Sequence, residues 1–364
     1  MAREGVAKRT LATRTARTAS KYLRYPFVLA ISALLVWLFT QKVNFAEVGR
    51  TIARARLIFL LPIASLLLLS YLLQSVRWKH LVRHITQVST GDAFPRVIVS
   101  NTANIILPFQ LGQLLMVQIS AEKFGMDRAE LLGAEFVSRM MDGLVFALFL
   151  ALALATLPIG SGFTALAAFM LFGTITGFAL CWWLTSAAAD RFQQGASLPA
   201  RAVRWLRTRA LGPVLPGLGS LQDLRQTRDI FLLSLAAWST EAAFYWMTAL
   251  ALDINANPLA YVFLLSAANI GAGLPLAQAG VGFIVLAQQA LMTVGKSRAT
   301  ATAFALSLQA LLAAPIVLLG PIGVYSMHLT WSDVLPWRTP DARRPAPRPA
   351  ERSASRESEL PAPH

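Results

Sequence analysis

Cysteine and charge are both scarce in this chain. Among its 364 residues only Cys181 is a cysteine, and 14% of the residues are charged whereas 55% are hydrophobic. A single cysteine excludes an intrachain disulfide and a cysteine-based metal cluster. Together with a mean hydropathy of +0.54, this composition indicates a chain dissolved largely in lipid rather than a string of soluble domains.

Signatures of common soluble chemistry are missing as well. The sequence has no Gly-x-Ser-x-Gly elbow, no His-Glu-x-x-His motif, no P-loop and no dinucleotide fingerprint, so ordinary hydrolase and nucleotide chemistry have no visible site. His80 and His84 lie four residues apart, but two histidines without a third ligand nearby are weak evidence for a metal. We expect neither a metal nor a cofactor.

The net charge of +15 raises the alternative of a nucleic-acid partner. Most basic residues, however, lie in tails and loops beside long apolar runs, which is typical of membrane helices oriented by cationic loops. We therefore expect membrane lipids as partners and no nucleic acid. Homo-oligomerisation stays open.

Apolar runs cover most of the chain. Residues 26–40 follow a basic N-terminal tail, residues 1–24, and are either a signal peptide or a first span. No small-x-small cleavage site follows promptly, which favours an uncleaved anchor. Further runs lie near residues 57–76, 97–119, 131–158, 163–186, 230–252, 259–294 and 299–328.

Proline and glycine interrupt two of these runs and break the helical hydrogen-bond ladder. Such backbone at membrane depth must line a cavity or be buried in protein. The first interruption contains Asn104, Pro108, Gln110, Gly112 and Gln113, and the second contains Asn269, Pro275, Gln278, Gly280 and Gly282. The glutamines either contact polar headgroups or only satisfy the freed backbone groups.

If each interrupted run forms a hairpin that returns to its own side, six full crossings remain. The predicted fold is then an all-α polytopic membrane protein with six full transmembrane helices plus two broken re-entrant helix hairpins. In this topology the inside segments hold 26 Lys and Arg and the outside segments hold 6. Both termini are therefore expected to be cytoplasmic, in the bacterial inner (plasma) membrane.

The same reasoning divides the chain into segments. A membrane domain is expected at residues 25–330, with a basic cytoplasmic loop at residues 187–228. Residues 331–364 are rich in Pro, Arg, Ser and Glu, which predicts a disordered cytoplasmic tail.

The two halves of the chain, about residues 57–156 and 229–328, share short matches in the same order. The residues 58–61 (IFLL) recur at 230–233, and Gly125-x-x-Arg128-Ala129 recurs as Gly295-x-x-Arg298-Ala299. With the topology above the copies have opposite orientations, which predicts an inverted repeat. Transporters use this plan, with broken helices that meet near the midplane. The alternative is that Pro and Gly merely ease the packing of kinked helices.

Charged side chains within apolar runs are costly and must face protein or water. Glu135, Arg139 and Asp142 are spaced to share one helix face, which predicts a triad with Arg139 between two carboxylates. The triad is either an ion-paired clamp between helices or a grip on a lipid phosphate, because the guanidinium fork matches phosphate geometry. Glu241 is either a proton-coupling group or a hydrogen-bonded packing residue.

One segment of the cytoplasmic loop is basic and amphipathic. Its arginines, interleaved with apolar residues, are Arg201, Arg204, Arg207 and Arg209. The segment either lies on anionic lipid headgroups or is a solvated loop that obeys the charge rule.

In order and spacing these residues resemble the membrane region of lysylphosphatidylglycerol synthases and the stand-alone flippase-like integral membrane proteins that share it. The resemblance covers roughly residues 25–330. The matching positions are Asn104, Pro108, Gly112, Arg139, Asp142, Pro275, Gly280 and Gly282.

The chain departs from that pattern where the family has charges. Gln110 and Gln113 stand in place of the loop's Arg and Glu, and Val285 in place of a later Glu. We therefore expect a neutral or differently charged lipid rather than an aminoacylated phospholipid. No soluble aminoacyl-transfer domain follows residue 330, so we do not expect the synthase itself.

The expected function is translocation of a lipid or lipid-linked molecule along a polar seam formed by the two broken helices. No residue is assigned a catalytic role. The alternative is a membrane-embedded transferase, or an accessory subunit of one, acting on polyprenyl or hopanoid-type lipids. Such an enzyme needs a base or a metal-binding carboxylate pair, for which Glu135 and Asp142 are the only candidates. A scaffold without transport activity is a third alternative.

Overall fold

The computed structural model describes residues 44–106, 112–158, 161–186, 191–192, 194–195, 197–273 and 281–327. Within this part of the chain the regular structure is entirely helical and contains no β-strand. The expected first span at residues 26–40 and the expected tail at residues 331–364 lie outside it.

The helices follow one another with short connections. In chain order they are α1 (Phe45–Ala53), α2 (Leu60–Leu81), α3 (Thr90–Ile106), α4 (Gly112–Phe124), α5 (Arg128–Thr156), α6 (Ser161–Thr185), α7 (Leu198–Trp205), α8 (Leu224–Ala251), α9 (Pro258–Gly273), α10 (Val281–Thr293) and α11 (Arg298–Ser326). A 3₁₀ turn, Leu57–Phe59, leads into α2.

Within the described residues, four helical segments are long and apolar enough to cross a membrane. They are Leu57–Leu81, Arg128–Thr156, Leu224–Ala251 and Arg298–Ser326. Many of their large apolar side chains are exposed on the isolated chain, among them Leu68, Leu72 and Leu232, as lipid-facing surfaces require. The molecule is a membrane protein built of helices.

Two pairs of shorter helices occupy the interrupted runs. The helices α3 and α4 have 17 and 13 residues, and α9 and α10 have 16 and 13. At about 1.5 Å per residue none of them spans a hydrocarbon core of roughly 30 Å. The two helices of each pair pack against each other.

Gly112 allows α3 and α4 to pack closely against each other. A Cβ atom at this position would lie 2.6 Å from the backbone nitrogen of Asn104 and 2.7 Å from its side-chain oxygen. The first turn of α4 thus touches the last turns of α3, although only seven residues separate Asn104 from Gly112. The chain therefore reverses direction between the two helices.

The helices that begin the two halves, α2 and α8, pack antiparallel along their length. At one end the Arg56 amide donates to the carbonyl of Ala251 (2.8 Å). At the other end the Gln226 side chain donates to the carbonyl of His80 (2.7 Å).

The later elements of the two halves also correspond. Both α4 and α10 end in the same reversal, with Gly125 at φ +66° and Gly295 at φ +86°. The residue after each glycine donates a backbone hydrogen bond to the carbonyl five residues earlier. The Met126 amide donates to Ala121 (3.1 Å), and the Lys296 amide donates to Leu291 (3.3 Å). This is the glycine-dependent Schellman end of a helix. Each reversal leads into a helix of 29 residues, α5 or α11.

The halves interlock, because the short pair of each half packs on the long helix of the other. The helix α3 contacts α11, where Gly320 lies against Thr102, and α9 contacts α5. The main apolar core lies at this junction and includes Val145, Phe244, Tyr261 and Phe304.

The segment 197–221 caps the bundle end at which α2 ends and α5 and α8 begin. Gly217 lies against Gly133, and Leu218 and Leu221 are buried. Burial lowers the pKa of the His84 imidazole, and its Nε2 lies 3.0 Å from the carbonyl of Pro216. The second part of this segment is thus packed against the bundle, whereas Arg201 and Arg204 are exposed.

We predict that Gly112→Ala destabilises the fold by about 1–3 kcal/mol, because the new methyl group overlaps the Asn104 backbone. The measurement is thermal unfolding of the purified protein in detergent. Gly173→Ala in α6 is the matched control, since a Cβ there meets nothing within 4 Å. Equal unfolding temperatures for the two variants would contradict the close contact of α3 with α4.

Candidate functional site

The central helix α5 carries Asp142 to the middle of the bundle, where its carboxylate is 5% exposed. Its Oδ1 accepts hydrogen bonds from the Arg77 guanidinium of α2 and from Nε1 of Trp238 of α8 at 2.7 Å. The same guanidinium donates to the Ser234 hydroxyl at 3.0 Å. One carboxylate thereby ties three helices together.

Glu135, about 10 Å nearer the start of α5, has a different partner. Its Oε1 pairs with the Arg96 guanidinium of α3 and accepts a hydrogen bond from Nε1 of Trp78 at 3.2 Å. The Arg96 guanidinium also lies over the Trp78 ring, 4.1 Å from its centroid, and its Nε donates to Ser120 at 3.0 Å. Arg96 and Trp78 are buried.

Arg139 lies between these pairs along α5 but belongs to neither. Its NH1 is 3.7 Å from Asp142 Oδ2, a long ion pair, and its side chain is 43% exposed. Its Nε donates to the side-chain oxygen of Gln113 at 2.9 Å. Since Gln113 lies in the first turn of α4, Arg139 touches the first helix pair at the end where α3 ends and α4 begins.

The predicted triad therefore needs a correction. Glu135 and Asp142 do face the bundle interior with Arg139 between them in sequence, but each forms its close pair with an arginine of another helix. The arrangement is an arginine–carboxylate network: Arg77, Arg96, Glu135, Arg139 and Asp142. Arg139 is its most exposed member.

Further polar side chains, among them two tyrosines, lie between Asp142 and the second helix pair. Glu241 of α8 lies near Asp142, Tyr71 and Tyr245, and the hydroxyl of Tyr245 lies beside Glu241 and Asn269. The ring of Tyr245 also packs edge-on against Phe283 of α10, with 6.3 Å between centroids. Among the described residues Glu241 forms no ion pair.

The two helix pairs thus approach the network from different sides. Gln113 contacts Arg139, its neighbour Gly112 lies against Asn104, and Asn269 lies beside Tyr245. The buried Oδ1 of Asn104 has no hydrogen-bond donor within the described part of the chain. Gly282 is buried in the first turn of α10. The remaining predicted pathway residues, Pro108, Gln110, Pro275, Gln278 and Gly280, lie outside the described residues.

Two members of the network were missed from the sequence. They are Arg77 and Arg96. In the structure Arg77 and Trp78 are interior residues of α2, and Arg96 lies in α3 beside Pro95. Cationic residues at the edge of an apolar run give no local sign of whether they face water or a buried carboxylate.

The network is asymmetric between the halves. Gln309 of α11 stands where the repeat places Arg139, and Ala305 and Leu312 stand where it places Glu135 and Asp142. All charges of the network therefore come from the first half. Arg139 has the longest carboxylate contact of the network arginines, 3.7 Å to Asp142, which leaves its guanidinium available to an anionic or zwitterionic group.

We predict that Asp142→Asn destabilises the protein by about 3–5 kcal/mol, because Arg77 is left buried without its counter-charge. The double variant Arg77→Met with Asp142→Leu should recover most of this loss. Thermal unfolding in detergent measures both. Glu122→Gln, which breaks the exposed pair with Arg128, is the control and should change stability by less than about 1 kcal/mol. A mild effect of Asp142→Asn would contradict a closely paired network.

Comparison with known proteins gives one family and no individual relative. No curated protein and no solved structure matches the chain. The family model described as the lysylphosphatidylglycerol synthase TM region matches residues 27–320, a stretch that includes α1 to α10, most of α11 and the whole arginine–carboxylate network. The chain belongs to the lysylphosphatidylglycerol synthase transmembrane-region family.

Proposed function

We propose that this membrane protein moves a lipid or lipid-linked molecule between the two leaflets, with the headgroup passing along the polar path from Arg139 to Tyr245. Membership of a family defined by the membrane region of a lipid-modifying enzyme supports a lipid-related role. The observation that carries the proposal is the state of Arg139, a half-exposed guanidinium at membrane depth that touches the end of a helix pair.

The energetics of headgroup transfer explain why such a path is needed. An isolated charge at the centre of a bilayer costs from about 3 to more than 10 kcal/mol, depending on how far water and lipid adapt. Arg139 offers a charge-assisted donor, and Gln113, Asn104 and Tyr245 offer neutral polar groups along the way. A phosphate that exchanges its water for these groups keeps most of its hydrogen bonds.

The topology that suits this path has six full crossings and two re-entrant pairs, α3 with α4 and α9 with α10. The antiparallel packing of α2 and α8 supports opposite orientations of the two halves. An inverted repeat of this kind allows the halves to exchange equivalent states around a site near the midplane. The excess of Lys and Arg on one side supports cytoplasmic termini in a bacterial inner membrane.

The substrate class follows from the amides at the first interruption. Gln113 engages Arg139 through its side-chain oxygen, where a glutamate would neutralise the guanidinium. Arg139 therefore keeps its positive charge for the substrate. We propose a lipid with a phosphate next to a neutral headgroup rather than an aminoacylated, cationic one.

A metal-dependent transferase finds less support at the same residues. Glu135 and Asp142 were the candidate ligands, and each has an oxygen engaged by an arginine and a tryptophan. A bound cation would have to displace a guanidinium from each of them, at the cost of leaving that guanidinium unpaired.

The exposed basic face of α7 gives a second lipid contact. Arg201 and Arg204 lie beside exposed Leu198 and Trp205, a pattern suited to anionic headgroups of the cytoplasmic leaflet. We propose that this face rests on that leaflet. Exchanging both arginines for glutamine should weaken retention of anionic lipid through purification, as measured by lipid mass spectrometry. Unchanged retention would overturn this contact.

We predict that Arg139→Ala slows translocation of headgroup-labelled lipid by about ten-fold or more, because a charge-assisted hydrogen bond is worth about 1.5–3 kcal/mol. The measurement uses proteoliposomes that contain purified protein. Dithionite in the outside solution destroys the fluorescence of labelled lipid that reaches the outer leaflet, so the rate of fluorescence loss reports translocation.

Arg128→Gln is the control, since Arg128 lies on the same helix but is exposed and paired with Glu122. It should translocate lipid at the wild-type rate. Identical rates for wild type, Arg139→Ala and empty liposomes would exclude translocation as the function.

A further inference from the structure

A cavity of about 630 Å³ lies at the opposite end of the bundle from the segment 197–221. It forms where α1 crosses the start of α2, the end of α8 and the first turn of α11. Its charged and polar lining includes Arg50, Arg54, Arg56, Glu47, Asp253 and Thr300. None of these residues belongs to the arginine–carboxylate network or to the proposed path.

The three arginines of this cavity outnumber its two carboxylates and are not paired with them. Among the described residues none of them forms an ion pair with Glu47, Asp253 or any other carboxylate. Arg50 donates from Nε to the carbonyl of Ala46 at 3.3 Å, and the Arg56 guanidinium lies over the Phe59 ring at 5.4 Å. These contacts orient the side chains and leave most of their N–H donors available.

Their place in the membrane topology makes the three arginines unusual. Only 6 Lys and Arg fall in the segments assigned to the outer side, and Arg50, Arg54 and Arg56 are half of them. Cationic residues are generally concentrated on the cytoplasmic side. Three of the few cationic residues assigned to the outer side surround this one cavity. Their grouping indicates that positive charge is required there.

The surroundings place the cavity at a lipid surface. Phe45 and Ile52 of α1, together with Leu57 and Ile58 at the start of α2, are large apolar side chains that are exposed on the isolated chain. Since α1 has apolar side chains beside its arginines, it suits the boundary between headgroups and acyl chains. A ligand at this level has access both from water and from the outer leaflet.

We infer that this arginine cavity binds a phosphate group carried by a headgroup-sized molecule, either a phospholipid headgroup or a soluble phosphate ester. The fork of a guanidinium matches the oxygens of phosphate. The first turn of α11, to which Thr300 belongs, adds the partial positive charge of a helix N-terminus. A volume of about 630 Å³ exceeds that of a bare phosphate ion and falls within the usual range for small-molecule sites.

Asp253 lowers the affinity of this site for an anion. It adopts a left-handed backbone conformation at φ +57°, just after α8, where the Ile254 amide bonds to the Ala249 carbonyl at 2.9 Å. Its carboxylate repels an anion in the cavity. Asn tolerates this conformation as Asp does, so Asp253→Asn removes the charge and keeps the turn.

The test is calorimetric titration of the full-length protein in maltoside detergent, which carries no phosphate. Inorganic phosphate, glycerol 3-phosphate and dihexanoyl phosphatidylglycerol are the three probes. We expect saturable binding of at least one probe. Binding of glycerol 3-phosphate identifies a soluble ester as a ligand, and binding of the short-chain lipid alone identifies the lipid headgroup.

The variants decide whether the binding occurs in this cavity. Arg50→Gln with Arg54→Gln should weaken binding by ten-fold or more, and Asp253→Asn should strengthen it by several-fold. Lys296→Gln is the matched control, because Lys296 precedes α11 at the same end of the bundle and does not line the cavity. It should leave the affinity unchanged.

Absence of saturable binding for all three probes would overturn the inference. Equal affinities for wild type and the double arginine variant would overturn it too, as would a weaker affinity for Asp253→Asn. The inference is independent of lipid translocation. A protein that binds phosphate here but fails the translocation assay would lose the proposed function and keep this site.

Discussion

An ionised side chain buried at membrane depth needs a counter-charge, and this requirement arranges the helices around α5. Asp142 draws Arg77 from α2 and Trp238 from α8, and Glu135 draws Arg96 from α3 together with Trp78. These pairs fix the positions of α2, α3 and α8 relative to α5, while apolar side chains supply the contact area. Arg139 cannot be paired in the same way, because both nearby carboxylates are already engaged. Its partial exposure is therefore a consequence of how the bundle is held together.

The same arrangement explains why the two halves of the repeat are used differently. Both halves have a long first helix, a pair of short helices and a final helix of 29 residues, and the short pair of each half packs on the long helix of the other. Only the first half carries the charges of the network, and the second half faces it with Glu241, Tyr245 and Asn269. A headgroup that follows this route exchanges a cationic contact for neutral polar ones. The arginine cavity lies at the other end of the bundle, where α2 begins and α8 ends.

Much of this architecture could be predicted from the sequence, for physical reasons that are local. Glycines at positions 125 and 295 mark matched helix ends because the left-handed turn requires them, and Pro and Gly mark the gaps between α3 and α4 and between α9 and α10. Glu135 and Asp142 lie toward the interior of the bundle, whereas Arg139, which their spacing places on the same helix face, is 43% exposed. The partners of these carboxylates could not be predicted, because Arg77 and Arg96 are 65 and 39 residues away along the chain from Asp142 and Glu135. Their positions at the edges of apolar runs look the same as those of ordinary loop arginines.

The central claim is that Arg139 faces a hydrated polar path rather than lipid or a sealed ion-pair clamp. Cys181 is the only cysteine, so a Cys181→Ala background allows single thiols to be probed in native membranes. Arg139→Cys and Phe136→Cys are a matched pair, since the two side chains are 43% and 49% exposed on the isolated chain. We predict that a charged, membrane-impermeant thiosulfonate reacts with Arg139→Cys and leaves Phe136→Cys unmodified. Equal reaction of the two thiols, or no reaction of Arg139→Cys from either side of the membrane, would contradict the account.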